Sequence, residues 1–284
     1  FLLGFWMRFA YQNDGRFSCI LSYHAFCYNC RMRVTSIKTH KITEEDTDIT
    51  KVLDTYITDI KENSVLAVTS KIISITEGRM VSLEKADKDD LIAQEAAYFL
   101  PRDENPYNVS FTITRNLLVV TAGIDESNAN DHYILWPKNS YESVNKIRFH
   151  LRKKFNLKNL GVIIIDSRTT PLRWGVTAFA IAYSGFKPLK DYTGTPDLFG
   201  RAFVFEKLNI TDGLAAAAGL EMGEGNEQTP LAIIEEIPHI QFVDTDPSEE
   251  ELEAFKIDMK SDLYGPFLQA VKWKKGLTSS VARR

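Results

Sequence analysis

From Met32 onward the apolar residues repeat with two different periods. Arg33–Lys38 alternates with period two, which predicts a first strand. Ile49, Val52, Leu53, Tyr56, Ile57 and Ile60 fall on one face of a 3.6-residue helix, with Asp46 or Thr47 placed to cap it. Val65–Thr69 is a buried strand, and Ser110–Thr114 with Leu117–Val120 reads as a hairpin around Arg115-Asn116. Val144, Ile147, Leu151 and Phe155 predict a helix over Ser140–Lys154 whose other side is rich in Lys and Arg. Gly161–Ile165 is a fully apolar strand delivering Asp166, and a loop over 169–173 separates it from a second strand, Val176–Tyr183. Thr211-Asp212 is placed to cap an Ala-rich helix, Leu214–Met222, before a strand over Thr229–Glu235. Pro247–Lys260 reads as an acidic helix with carboxylates where the N-terminal dipole favours them.

Helices and strands interleave, with no internal repeat and no Pro/Gly-rich linker, so the chain reads as α+β and any two lobes would be interwoven. We place the body at 32–246 and a C-terminal helical segment with a basic tail at 247–284. Residues 1–31 differ: nine aromatics, no sustained period, and an aspect of translated upstream sequence or an accessory extension. All three cysteines sit there, which excludes a disulfide framework for the body. Cys27-x-x-Cys30 with Cys19 and His24 forms a weak zinc motif for which chance is the better reading. No apolar run approaches the roughly 20 residues of a membrane span, so we expect a cytoplasmic body with no membrane partner. The net charge of −4 argues against general nucleic-acid binding, although Lys272, Lys274, Lys275, Arg283 and Arg284 make the C-terminus locally basic.

Three carboxylates follow apolar runs on turns bearing Gly or hydroxyl residues: Asp125 in Ala122–Asn128, Asp166 before Ser167, and Glu224 between Gly223 and Gly225. Hard divalent cations take oxygen ligands from separated segments, and they commonly arrive with a phosphate-bearing substrate. For Asp125 and Asn128 the bland alternative is a self-bonded turn, and for Gly223 a helix C-cap. Asp166 is harder to explain away, because a carboxylate after four apolar strand residues needs a cation or several donors. Lys71, after Thr69-Ser70, could contact phosphate, while Arg173 and Arg201 suit either a phosphate or an ion pair. There is no Walker A sequence, no dinucleotide fingerprint and no nucleophile–His pairing.

Four motifs together carry a resemblance: Thr69-Ser70-Lys71-Ile72-Ile73-Ser74 with Glu77-Gly78-Arg79; Ala122-Gly123-Ile124-Asp125-Glu126-Ser127-Asn128; Asp191-Tyr192-Thr193-Gly194 with Asp197-Leu198-Phe199-Gly200-Arg201; and Leu214–Ala218 with Met222-Gly223-Glu224-Gly225. In order and spacing they resemble the coenzyme F420-0:L-glutamate ligase family over roughly Met32 to Ile234. The resemblance implies two intertwined α/β lobes with mixed sheets and a homodimer. It also implies a GTP- and Mg²⁺- or Mn²⁺-dependent ligation of L-glutamate onto an acceptor carboxylate through an acyl-phosphate. By the same resemblance Asp125, Asp166 and Glu224 hold two metal ions, Ser167 is a hydroxyl ligand or phosphate contact, and Ser70 and Lys71 lie near the phosphates. Departures fall beside the expected acceptor site. Where the family reads Asp-Thr-x-Gly-Arg-Pro, this chain has Asp166-Ser167-Arg168-Thr169-Thr170-Pro171, so Arg168 or Arg173 would take over. The acceptor is accordingly either F420-0 or, as in a bacterial branch resembling folate-metabolism γ-glutamate ligases, a folate. A non-catalytic nucleotide- and metal-binding homologue is the alternative.

Overall fold

The structure, a computed structural model, describes residues 32–278 and, before them, the backbone of Phe9–Tyr11 and Phe17–Cys19. The chain divides into two compact units, Phe1–Arg31 and Met32–Arg284. In the first, β1 (Phe9–Tyr11) and β2 (Phe17–Cys19) pair antiparallel, although the sequence there shows no strand period. The weak zinc motif falls outside the residues whose side chains are described.

The larger unit opens with β3 (Arg33–Ile37), α1 (Ile49–Tyr56), β4 (Ser64–Thr69) and α2 (Ser70–Thr76). β5 (Met80–Ser82), α3 (Lys88–Glu95) and β6 (Tyr98–Phe99) lead to the hairpin of β7 (Phe111–Thr114) and β8 (Leu117–Val120). Next come β9 (His132–Ile134), α4 (Ser140–Phe155), β10 (Leu160–Thr170) and β11 (Arg173–Ser184). β12 (Leu189–Asp191), β13 (Lys207–Asn209), α5 (Ile210–Met222) and β14 (Leu231–Glu235) follow, then α6 (Glu249–Phe255), α7 (Gly265–Ala270) and β15 (Lys274–Lys275).

Five strands form the central sheet in the order β11-β10-β4-β14-β3, with β10 and β4 parallel and every other neighbour antiparallel. Leu66, Val68, Leu160, Val162 and Ile164 face one core beneath α1, α2 and α4. Val65, Ala67, Ile163 and Ile165 face a second core beneath α5. Burial on both faces explains why β4 and β10 are continuous apolar runs rather than alternating ones. A second sheet, β15-β6-β7-β8, and the pair β5-β9 complete a mixed α+β architecture, as expected.

Local chemistry revises several elements. Asp48, not Asp46 or Thr47, caps α1 by accepting from the Thr50 N–H at 3.0 Å. That helix stops at Tyr56; Ile57 and Ile60 reach the core from non-helical chain, which extends the apparent period. Asn209, not Thr211-Asp212, caps α5, and the Ser248/Glu251 capping box starts α6. Ser70–Thr76 is helical despite three isoleucines, because burial of Ile72, Ile73 and Ile75 outweighs their weak helix preference. β10 and β11 form one long hairpin turned at Pro171-Leu172, so Asp166 lies within a strand rather than at its end. Arg115 and Asn116 both have positive φ, as a tight two-residue hairpin turn requires.

Candidate functional site

At the carboxyl end of β4 the chain turns into α2, while β10 runs on beyond it. A cleft of about 750 Å³ opens there, lined by the start of α2, the 123–128 turn, Trp136, residues 165–169 of β10 and the loop that follows α5. Lys71 enters from α2. Its Nζ stands 2.6 Å from Oδ2 of Asp125 and donates to the main-chain oxygen of Ser127 at 2.8 Å. The Ser127 N–H in turn donates to Asp125 Oδ1 at 2.7 Å, so Asp125 makes the self-bonded turn while its other carboxylate oxygen faces Lys71 in the cleft. Burial pushes the Asp125 carboxyl up, but Lys71 and the Ser127 donors more than offset it, leaving it below the usual carboxylate range.

Asp166 has the donors its setting demands: the indole N–H of Trp136 and, at 2.8 Å, the main-chain N–H of Ser167. These do not balance its desolvation. With the Asp125 charge adding to the burial, the Asp166 carboxyl is pushed up to about 6, against the opposing pull of its donors and Lys71. Two carboxylates are thus held near one another with Lys71 as the cation acting on both, an arrangement that a bound metal ion would relieve.

Trp136 is the participant that the pattern of polar residues concealed. It is buried, its carbonyl accepts from Arg79 Nε at 3.0 Å, and the Arg115 guanidinium lies 5.7 Å from its ring centroid. Gly123, at φ +74°, lets the indole pass: a Cβ there would sit 2.2 Å from the ring. The only hint in the sequence is an indole ending the apolar run Tyr133-Ile134-Leu135.

The loop after α5 closes the rim. Gly223 is the C-cap of α5, and Asn128 Nδ2 donates to the Gly225 carbonyl at 3.1 Å, tying the first acidic turn to the third. Glu224 lines the cleft but is exposed, and among the described residues no group of three or more His, Cys, Asp or Glu stands close enough to hold a metal ion. Asp125 and Asp166 are brought together, whereas Glu224 stands apart from them elsewhere on the same cleft, so the three expected ligands are not assembled into one cluster. Ser70, buried, and Ser167 also line the cleft. Arg173 and Arg201 do not: Arg173 is exposed near the tip of the β10–β11 hairpin, and Arg201 closes an exposed turn with Asp197. Of the two arginines considered as replacements beside the acceptor, Arg168 lines the cleft, 3.3 Å from Asp212 and stacked 4.7 Å from the Phe179 centroid.

The family model for F420-0:gamma-glutamyl ligases matches residues 36–236, a span that contains every element of this cleft. This chain belongs to that family. It is an amino-acid ligase. Coenzyme F420:L-glutamate ligases similar to it include that of Methanocaldococcus jannaschii, 36% identical over 195 residues covering 62% of this chain and 76% of the relative. That of Methanococcus maripaludis strain S2 is 34% identical over 201 residues, covering 68% and 77%. That of Methanopyrus kandleri is 32% identical over 193 residues, covering 62% and 75%. Among the described residues of this gamma-glutamyl ligase, no helix is long and apolar enough to cross a membrane.

Proposed function

We propose that this ligase joins L-glutamate to the carboxylate of F420-0 or a related acceptor, using GTP and divalent metal. The observation that carries the reading is the Lys71–Asp125–Asp166 arrangement at the end of β4. An acceptor carboxylate oxygen attacks the γ-phosphorus and the nucleoside diphosphate leaves. The glutamate amine then attacks the acyl carbon, loses a proton, and phosphate departs with the acyl oxygen.

The donor set suits Mg²⁺ or Mn²⁺, because Asp125, Asp166, Ser167 and Glu224 offer only oxygen. Asp125 and Asp166 would hold the first ion, with Glu224 drawn in from the rim to hold a second. Bound metal supplies charge neutralisation for the transferring phosphoryl group. Lys71, which here contacts Asp125 and the Ser127 carbonyl, would be free to contact phosphate oxygens if Asp125 held the ion. Trp136 holds the Asp166 carboxylate in one orientation. Arg168, which lines the cleft, would supply positive charge for the acceptor's carboxylate end.

The assembly in this reading is a homodimer. Its support is the stretch between β12 and β13, where Leu198, Phe199, Val204 and Phe205 are largely exposed; large apolar side chains crowded on one short segment mark an interaction surface.

Mass spectrometry of reactions containing the protein, GTP or ATP, Mg²⁺ or Mn²⁺, L-glutamate and either F420-0 or tetrahydrofolate tests the activity. A nucleotide-dependent gain of one glutamyl residue on F420-0 is the expected result. Gain on tetrahydrofolate instead would reassign the acceptor, and no gain on either would overturn both assignments in favour of a different acceptor or a non-catalytic homologue.

A further inference from the structure

β10 outruns its parallel partner. The register between them ends with Ile165 opposite Thr69, where β4 gives way to α2, yet β10 continues to Thr170 paired with β11 alone. From Asp166 to Thr170, the edge that faced β4 is open. Hydrogen-bond phase decides which residues address it. In an antiparallel pair, alternate residues turn both main-chain groups toward the partner and the intervening ones turn both away.

Two side-chain contacts fix that phase. The Ala180 N–H donates to the Asp212 carboxylate at 3.1 Å, and the Ser167 N–H to the Asp166 carboxylate at 2.8 Å, so neither serves the β10–β11 ladder. Ala180 stands opposite Ile165, and Ala178 opposite Ser167. Ile165, Ser167 and Thr169 therefore turn their main-chain groups to the β4 side. Ile165 meets β4 there; Ser167 and Thr169 meet the cleft, which both line. Their groups repeat at about 6.6 Å, the two-residue spacing of a strand.

An open strand edge is a template for another extended chain. Its surroundings specify which: the strip begins beside Asp166, and two cations, Lys71 and Arg168, line the same cleft. We propose that the main chain of Ser167–Thr169 is a docking strip for an amide-bearing stem that ends in a carboxylate, paired in the manner of an added strand. This rests on the ligase reading of the cleft, since making a glutamyl amide creates such a stem. The amide formed in one turnover is the group the strip pairs with.

The probe is γ-L-glutamyl-L-glutamate, titrated calorimetrically into the full chain beside its analogue methylated on the linking amide nitrogen. We expect the parent to bind at least ~10-fold more tightly, one main-chain hydrogen bond being lost in the analogue. Thr169→Pro deletes an N–H on an open edge, where proline is tolerated, and should weaken the parent by a similar factor; Thr169→Ala keeps the N–H and should not. Equal binding of parent and analogue, or binding of neither, overturns the strip. Should Thr169→Pro fail to fold, hydrogen–deuterium exchange on the native chain decides: the Ser167 N–H is already held by Asp166, so slowed exchange at Thr169 on adding the dipeptide supports the strip, and unchanged exchange there overturns it. Glutamate transfer is scored in the separate mass-spectrometric assay, so failure of the strip and failure of the ligase reading are told apart.

Discussion

Asp166 shows at the scale of one residue how folding and chemistry are set against each other. Its carboxyl is raised to about 6 by burial and by Asp125, so between about pH 4 and 6 the folded chain keeps a proton that the unfolded chain has lost. Stability of the metal-free protein should therefore fall as pH rises through that window and level off above it. A shift of this size, discounted for the water in the cleft, corresponds to about 2 kcal/mol. Melting curves in chelator at pH 4.5 and 7 check this: Asp166→Asn should lose a few degrees less than the native chain over that interval, and parallel losses would refute it. Trp136→Phe keeps the ring and removes the donor; because a hydrogen bond to a charged group contributes about 1.5–3 kcal/mol, we expect the melting temperature to fall by several degrees and kcat, measured well below that melting temperature, to fall about 10-fold or more. An unaltered kcat would show that the indole only fills space. Asp125 and Asp166 were legible in the sequence because a carboxylate closing an apolar run is costly. Trp136 was not, since a tryptophan in an apolar stretch looks like core until the Asp166 contact is seen.

Between elements, the approach of α5 to β11 depends on the absence of a side chain. A Cβ at Gly219 would lie 2.4 Å from the Ala178 Cβ, so Gly219→Ala should push α5 off the sheet at a cost of about 1–3 kcal/mol, even though alanine is the better helix former. Chemical denaturation reads that loss directly, and a gain in stability would mean that the helix–sheet spacing is looser than the structure shows. Because α5 leads into the Gly223–Gly225 loop, the same substitution should raise the KM for acceptor more than it lowers kcat. Element types were mostly readable from periodicity, as β4, α4 and the β7–β8 hairpin show. Caps and ends were not. Asp48 and Asn209 each had polar neighbours able to cap as well, and which one accepts depends on where tertiary packing starts the helix. The length of β10 also escaped notice, since Ser167–Thr170 are polar, the last two of them exposed, and it is their cross-strand pairing with Ala178, Thr177, Val176 and Arg173 that keeps them extended.

In the molecule as a whole, apolar surface is left over. Two helical layers cover the central sheet, yet Leu198, Phe199, Val204 and Phe205, and at the hairpin tip Leu172 and Trp174, stand largely in water. Nothing in the pattern distinguished Val204 and Phe205 from core, because the run Phe203-Val204-Phe205 has the composition of a buried strand. Exposing side chains of this size is unfavourable by about 1.5–3 kcal/mol each relative to burying them. A second copy covering the 192–206 segment would recover part of that, which makes the segment the place to break the proposed dimer. Phe199 and Phe205, replaced together in Phe199→Asp/Phe205→Asp, are not among the residues that line the cleft. We expect the double variant to leave the fold intact by circular dichroism and to shift sedimentation from dimer to monomer at micromolar concentration. If the native chain already sediments as a monomer, or if the double variant remains a dimer, the pairing through this segment is wrong. A monomeric variant that retains glutamate transfer would further show that each cleft works alone, whereas loss of transfer with the monomer still folded would mean that the partner supports the site.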